Sequence, residues 1–401
     1  MKYDFDKIID RSPESGTFSF KWQGYENRFP GFEIDSPNVI SMWVADMDFE
    51  TIPEVKEAIV RRAEHGIYGY VSEDCNDAFR DAAIRWFARR YGWAGCRKEW
   101  MLFSPGVVPA IFNAVQAFTD EGDGVIIQSP VYYPFEAAIA DTRRTVVNNQ
   151  LIERSGRYEM NYDELEVLAA DPANKMIVLS SPHNPVGRVW SRDELERAFQ
   201  ICAKNDVLVF CDEIHADIIM PGHCMFTAGI LDGYHDSLVL AHAASKSFNL
   251  AGLTTSLITV PNPDLRKRLE KKMSENRLPQ GNTFGPIAGA AAYNNGDDYI
   301  DELVRYIDGN VHFAQEWLVE HLPQAKIIPL EGTYLVWMDF RDFGLPEEDL
   351  YHLVIEQAKV VGDLGRWFGP GGEGFMRFNF ACPRTRIEDF LVRLASQLTG
   401  K

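Results

Sequence analysis

Four short runs set the strongest limit on how this chain can fold: GVIIQSP (124–130), KMIVLSSP (175–182), VLVFCDE (207–213) and SLVLAHA (237–243). Each is apolar through its length, not only at alternate positions, and each ends in a polar segment. A strand with one wet face alternates apolar and polar residues, whereas a strand covered on both faces has no need to. Segments of helical periodicity separate the runs. One of them, TIPEVKEAIVRRAEHG (51–66), has a threonine placed to cap, a proline close behind it and a glycine at its end. Between about residues 50 and 290 the pattern is that of an α/β layer with a mainly parallel sheet, whose ligands gather beyond the carboxyl ends of the strands.

From about residue 290 the pattern changes. DDYIDELVRYIDGNVHFAQEWLVEHLP reads as a long amphipathic helix, TYLVWMDF and FMRFNFAC as strands, and RIEDFLVRLASQL as a closing helix. We expect a large domain over 46–287 and a smaller α+β domain built from 1–45 and 288–401. The first 45 residues, rich in aromatics and turn formers, would pack on the smaller unit or form an arm.

The net charge of -19 and the lack of a basic block argue against nucleic acid as a partner. Arg266, Lys267, Arg268, Lys271 and Lys272 are interleaved with Leu265, Leu269 and Glu270, as on a solvated helix face. No apolar stretch approaches the roughly 18 residues needed to span a bilayer. The start, MKYDFDKIIDR, lacks the apolar centre of a signal peptide, and the six cysteines form no CxxC pair and have no histidines at metal-ligand spacing. The expectation is a cytoplasmic protein without structural metal, membrane or nucleic-acid partner.

Three of the apolar runs lead into unlike polar groups: Asn184 in SSPHNPVG, Asp212 and His215 in CDEIH, and Lys246 in HAASKS. In a parallel sheet these face one crevice. A carboxylate and a lysine at neighbouring strand ends suit two tasks, keeping a cationic ring protonated and offering an amine to a carbonyl. Pyridoxal phosphate (PLP) requires both, because its aldehyde condenses with a lysine and its ring nitrogen draws electrons only while protonated.

The order Asn184, Asp212, Lys246 within SPHNPVG, DEIH and SKSFNLAGL resembles the fold-type-I PLP enzymes, the aspartate-aminotransferase superfamily. VADMDF (44–49), HGIYGY (65–70), SPGVVPAI (104–111), DEIHADI (212–218) and NFACPR (379–384) resemble the MalY/PatB branch of cystathionine β-lyases, and the likeness spans nearly the whole chain. The resemblance implies a seven-stranded, mainly parallel sheet in an α/β/α sandwich beside the smaller α+β domain. It implies that Lys246 bonds to the cofactor aldehyde and shuttles the substrate Cα proton, and that Asp212 pairs with the ring nitrogen. Asn184 and His215 would lie by the phenolic oxygen, and Tyr132, in preference to Tyr133, would stack on the ring. The amides after Gly106, at Val107 and Val108, and the Ser245 hydroxyl would hold the phosphate. Arg377 would grip the substrate α-carboxylate, and Tyr70 would reach the phosphate of a neighbouring subunit, making a homodimer with shared sites.

One stretch departs from the pattern. Many aminotransferases carry an arginine about six to eight residues after the lysine, and LAGLTTS has none, so other groups must meet that part of the phosphate charge. The reaction implied is β-elimination from a sulfur amino acid (L-cystathionine, cysteine or an S-substituted cysteine) to thiol, pyruvate and ammonia. An aminotransferase shares the same groups and is the alternative. Non-catalytic readings stand beside these: Asp212 or Glu213 as a helix cap, Arg377 as ion-pair partner of Glu373 or Asp339, and His242 and Cys211 as a pair lacking a third group to orient a base.

Overall fold

A computed structural model describes residues 2–34 and 38–399. The central sheet has seven strands: β1 (Met101–Ser104), β2 (Gly124–Ile127), β3 (Thr145–Asn148), β4 (Asn174–Ser180), β5 (Leu208–Asp212), β6 (Leu238–His242) and β7 (Ser256–Thr259). Their order is β1-β7-β6-β5-β4-β2-β3. Adjacent pairs from β6 to β3 are parallel, and β7 runs antiparallel to both of its neighbours. The four apolar runs are β2, β4, β5 and β6, the strands at and beside the centre.

Their unbroken apolarity follows from the layers. Val125, Val178, Phe210, Val239 and Ala241 pack into one core with Ala110, Ile111, Ala114 and Val115 of helix α1 (Val107–Phe118). The alternate positions Ile126, Ile177, Val209, Cys211, Leu238 and Leu240 enter a second core with Trp86, Phe87, Phe199 and Cys202. Apart from Lys175, which is exposed, the positions of these four strands are buried on one side of the sheet or the other, and a polar side chain between two such layers would lose its water without a partner.

A second, four-stranded sheet lies in the C-terminal part: β8 (Lys326–Ile327), β9 (Leu335–Asp339), β10 (Asp363–Leu364) and β11 (Phe375–Asn379), in the order β8-β9-β11-β10 and antiparallel throughout. The long helix spans Asp297–His321 and the closing helix Arg384–Leu398. The helix expected over 51–66 covers Pro53–Glu64, but Thr51 does not cap it. Ile52 occupies that position with no side-chain bond, and the Thr51 hydroxyl is buried without a partner. The proline that supports the helix start displaces the cap by one residue.

The N-terminal segment is tied down by charge and by strand pairing. Ile40 and Ser41 pair in parallel with Val360 and Val361. Lys21, with no exposed side-chain surface, places Nζ 3.1 Å from Asp48, and Arg11 contacts Asp46 and Asp48 at 2.7 Å each. Burial pushes the Asp48 carboxyl up, but Lys21, Arg386 and Arg11 outweigh it and hold the group below its ordinary value. This cluster fixes residues 44–48, of which Ala45 lines the cavity described below. Removing one partner of a buried pair strands the other charge. Asp48→Ala is therefore expected to lower stability by about 3–5 kcal/mol in urea unfolding, and a change under about 1 kcal/mol would show that the cluster is electrostatically idle.

Candidate active site

Adjacent strands bring the site together. In the ladder Ser180 of β4 faces Asp212 of β5, and Asp212 faces Ala241 of β6. The chain then leaves β6 through a single helical turn, Ala244–Ser247, which carries Lys246. Asp212, Lys246 and Asn184 line one cavity of about 180 Å³ with Gly106, Val107, Val108, Tyr132, His215 and Ser245. A larger cavity of about 340 Å³, bounded by Leu102, Phe103 and Met273, shares no lining residue with it and offers no lysine beside a buried carboxylate.

Each position has a local cause. Gly106 sits at φ 136°, a conformation that side chains disfavour, and turns β1 into helix α1. The first-turn amides of Val107 and Val108 have no intrahelical partner, and both residues line the cavity, a ready anion site. In the loop after β4, the Ser180 hydroxyl donates to the Pro182 carbonyl (3.0 Å) and accepts from the Asn184 amide (3.2 Å). The Asn184 carbonyl in turn accepts from the Tyr132 amide (3.1 Å), tying ring and amide to one wall. Tyr132 lines the cavity and Tyr133 does not.

Electrostatics set the chemistry of three groups. Burial pushes the Asp212 carboxyl up to about 7, against the Ile214 amide bonded at 3.0 Å and the neighbouring Lys246. Burial lowers Lys246 to about 8, with Asp46 opposing and Arg377 assisting. His215 falls well below its ordinary value through burial and the nearby Lys246 and Arg377, so its ring is neutral, and its Nδ1 is buried with no partner. Lys246 Nζ donates to the Ala45 carbonyl at 2.7 Å, and Tyr334 Oη donates to the same oxygen at 3.0 Å.

Arg377 lies on β11 and reaches the site's edge. It donates to Asn184 Oδ1 (2.8 Å) and to the Trp43 carbonyl (3.0 Å), and it forms a buried ion pair with Asp363. Its Nε is buried and unpartnered, a donor left for an anion. The pairings with Glu373 or Asp339 do not form: Asp339 binds Arg341 at 2.7 Å, and Glu373 accepts from the Gly371 amide. Glu213 does not cap a helix either; its carboxylate accepts from Thr227 (2.6 Å) and the Ala228 amide and lies 2.8 Å from His242. Cys211 donates to the same Glu213, and burial drives its thiol far up, which leaves no nucleophilic pair with His242.

Nine of the eleven expected site residues thus line one cavity, and Arg377 touches Asn184 beside it. Tyr70 stands apart, fully exposed on the segment that also exposes Ile67 and Tyr68. Sequence reasoning missed the Ala45 carbonyl, Ser180, Thr254 and Thr255 of the lining, and Asp363. Thr254 and Thr255 fall in LAGLTTS, where the expected arginine is absent, and supply hydroxyls there. The set fits PLP: an amine for the aldehyde, a buried acid for the ring nitrogen, an orphaned His215 Nδ1 and Asn184 for the phenolic oxygen, and a helix N-terminus with Ser245 for the phosphate.

The chain belongs to the family described as aminotransferase class I and II, whose profile matches residues 37–394. Within that family it groups with the proteins its short motifs resemble. It is 38% identical over 397 residues to the cystathionine beta-lyase PatB of Bacillus subtilis (strain 168), covering 99% of this chain and 100% of that one. It is 30% identical to protein MalY of Escherichia coli (strain K12), covering 99% of each. Cystalysin from Treponema denticola, whose crystal structure contains a pyridoxal 5'-phosphate cofactor, superposes with a TM-score of 0.92 at 36% identity over 99% of both chains.

The lowered Lys246 amine is open to a direct test. Burial disfavours the cation, so the neutral, reactive amine forms at lower pH than in an exposed lysine. In cofactor-free protein, the rate of reductive methylation at Lys246, followed by peptide mass spectrometry, is expected to rise with a midpoint near 8. A midpoint at the ordinary lysine value would contradict the assigned environment.

Proposed function

We propose that this protein is a PLP-dependent carbon–sulfur lyase that cleaves L-cystathionine or related S-substituted cysteines by β-elimination. The observation that carries the reading is Lys246, after β6, beside Asp212, at the end of β5, in one cavity whose floor is the N-terminus of helix α1. Bound PLP supplies an aldehyde that condenses with amines and a protonated ring that accepts the electron pair left at Cα.

The chain's own residues do the rest. Asp212, ionised once a cationic nitrogen faces it, keeps that nitrogen protonated. Tyr132 would pack on the ring, and the Val107 and Val108 amides with Ser245 would hold the phosphate. Arg377 orients the substrate α-carboxylate through its free Nε, a placement that fixes which bond at Cα stands ready to break. Lys246 removes the Cα proton; its lowered pKa makes the neutral base accessible near pH 8. The carbon–sulfur bond then breaks, the sulfur leaves with the bonding electrons and gains a proton, and water hydrolyses the remaining three-carbon enamine to pyruvate and ammonia. With L-cystathionine the thiol product is homocysteine.

The assembly we infer is a homodimer in which Tyr70 of each chain completes its neighbour's phosphate site, in keeping with that residue's full exposure. The compartment we infer is the cytoplasm, in keeping with six free cysteines. Among the described residues no helix is long and apolar enough to cross a membrane.

A single-turnover experiment with stoichiometric holoenzyme and L-cystathionine distinguishes this reaction from amino transfer. Thiol and pyruvate are expected in equal amounts without accumulation of pyridoxamine phosphate. Amino transfer to an added keto acid with the thioether intact would assign an aminotransferase instead. Lys246→Ala is expected to lose at least about 10²-fold in turnover, the scale of a positioned general base.

A further inference from the structure

Behind the Tyr132 wall of the cavity, beyond Tyr133, stands a second cation that none of the steps above uses. Arg28 ends the short helix Tyr25–Arg28. Its guanidinium carbon lies 4.0 Å from the centroid of the Trp367 ring and 4.5 Å from that of Tyr133, so two aromatic rings hold it. Tyr133 leads from there to the site: its ring centroid is 5.2 Å from that of Tyr132, a cavity wall, and 5.8 Å from that of Phe368, over which Arg377 lies at 5.0 Å.

The two arginines have different partners. Arg377 is neutralised by Asp363, whereas Arg28 forms no ion pair among the described residues, and its Nε is buried without a hydrogen-bond partner. The fields agree with the geometry, since Asp363 feels both cations and Arg28 also opposes the rise of the Tyr133 phenol caused by burial. A partly buried guanidinium that lacks an anion is costly unless a ligand brings one, and its planar fork suits a carboxylate.

We propose that Arg28 receives a carboxylate carried on the sulfur side of the substrate, so that the enzyme prefers thioether amino acids whose leaving thiol itself bears a carboxylate. The proposal rests on the carbon–sulfur lyase reading and deepens it. With the α-carboxylate at Arg377, a thioether with acidic groups at both ends meets both guanidinium groups, and one with an alkyl end leaves Arg28 unpaired. The discrimination comes from a charge left without a partner, which separates substrates more sharply than apolar fit.

The test compares S-(2-carboxyethyl)-L-cysteine with S-propyl-L-cysteine, which has a similar reach and no second carboxylate, in wild-type, Arg28→Ala and Arg28→Lys holoenzymes. Arg28→Ala is expected to lower kcat/KM for the carboxylate-bearing substrate by about 10- to 100-fold, mainly through KM, and to change it less than about twofold for the propyl compound. Arg28→Lys keeps the charge but loses the planar fork and is expected to fall between the two. Equal losses with both substrates, or a lowered melting temperature that accounts for the loss, would assign Arg28 to packing and overturn the proposal. If wild type releases thiol from neither compound nor from L-cystathionine, the lyase reading fails instead. Calorimetric binding of the same two compounds then decides on Arg28: a preference for the acid that disappears in Arg28→Ala supports the anion site, and no preference overturns it.

Discussion

The parallel backbone ladder between β5 and β6 is the constraint on which the site depends. It sets Asp212 opposite Ala241, and the Glu213 amide extends the pairing by donating to the Ala241 carbonyl at 2.9 Å. One turn later the chain delivers Lys246, so an acid and an amine enter a water-poor space from adjacent strand ends. Neither is comfortable alone there. Burial raises the acid to about 7 and lowers the amine to about 8, and a ligand that contributes a ring cation and an aldehyde relieves both. Binding and chemistry thus draw on the same desolvation, which makes an electron sink effective in a protein interior.

Around this pair the rest of the chain acts as a brace. The Ala45 carbonyl that receives Lys246 is held from several sides. Asn379 donates to the carbonyls of Val44 (2.8 Å) and Asp46 (2.5 Å), and Tyr334 donates to Ala45 itself. Asp46 and Asp48 are anchored in turn by Arg11 and the buried Lys21. The N-terminal segment, the small sheet and Lys246 therefore meet at one stretch, residues 44–48. Loosening the charge cluster there would be felt as a misplaced amine as well as lost stability.

Much of this was readable in the sequence because the physical signals were local. Strands covered on both faces are apolar throughout, so β2, β4, β5 and β6 stood out, and the polar residues that follow them gave Asn184, Asp212, His215 and Lys246, while the other site residues came from the family resemblance. Tyr132, Ser245 and the roles of all these residues gained their meaning from the motifs that resemble the family. What escaped has no residue-type signature. A backbone carbonyl such as that of Ala45 looks the same in any sequence. Asp363 lies on a two-residue strand, and its pairing with Arg377 depends on sheet order, which composition does not encode. Lys21 sits in a stretch without periodicity, and nothing local marks a lysine that will be fully buried. The missing Thr51 cap reflects competition with Pro53, whose fixed φ starts the helix one residue later than the threonine would.

The most direct test of the account is chemical. Reducing the holoenzyme with borohydride and digesting it locates the covalent attachment of the cofactor by peptide mass. A single pyridoxyl label is expected on the peptide containing Lys246. A label on another lysine, or a protein that binds the cofactor yet yields no labelled peptide, would contradict it.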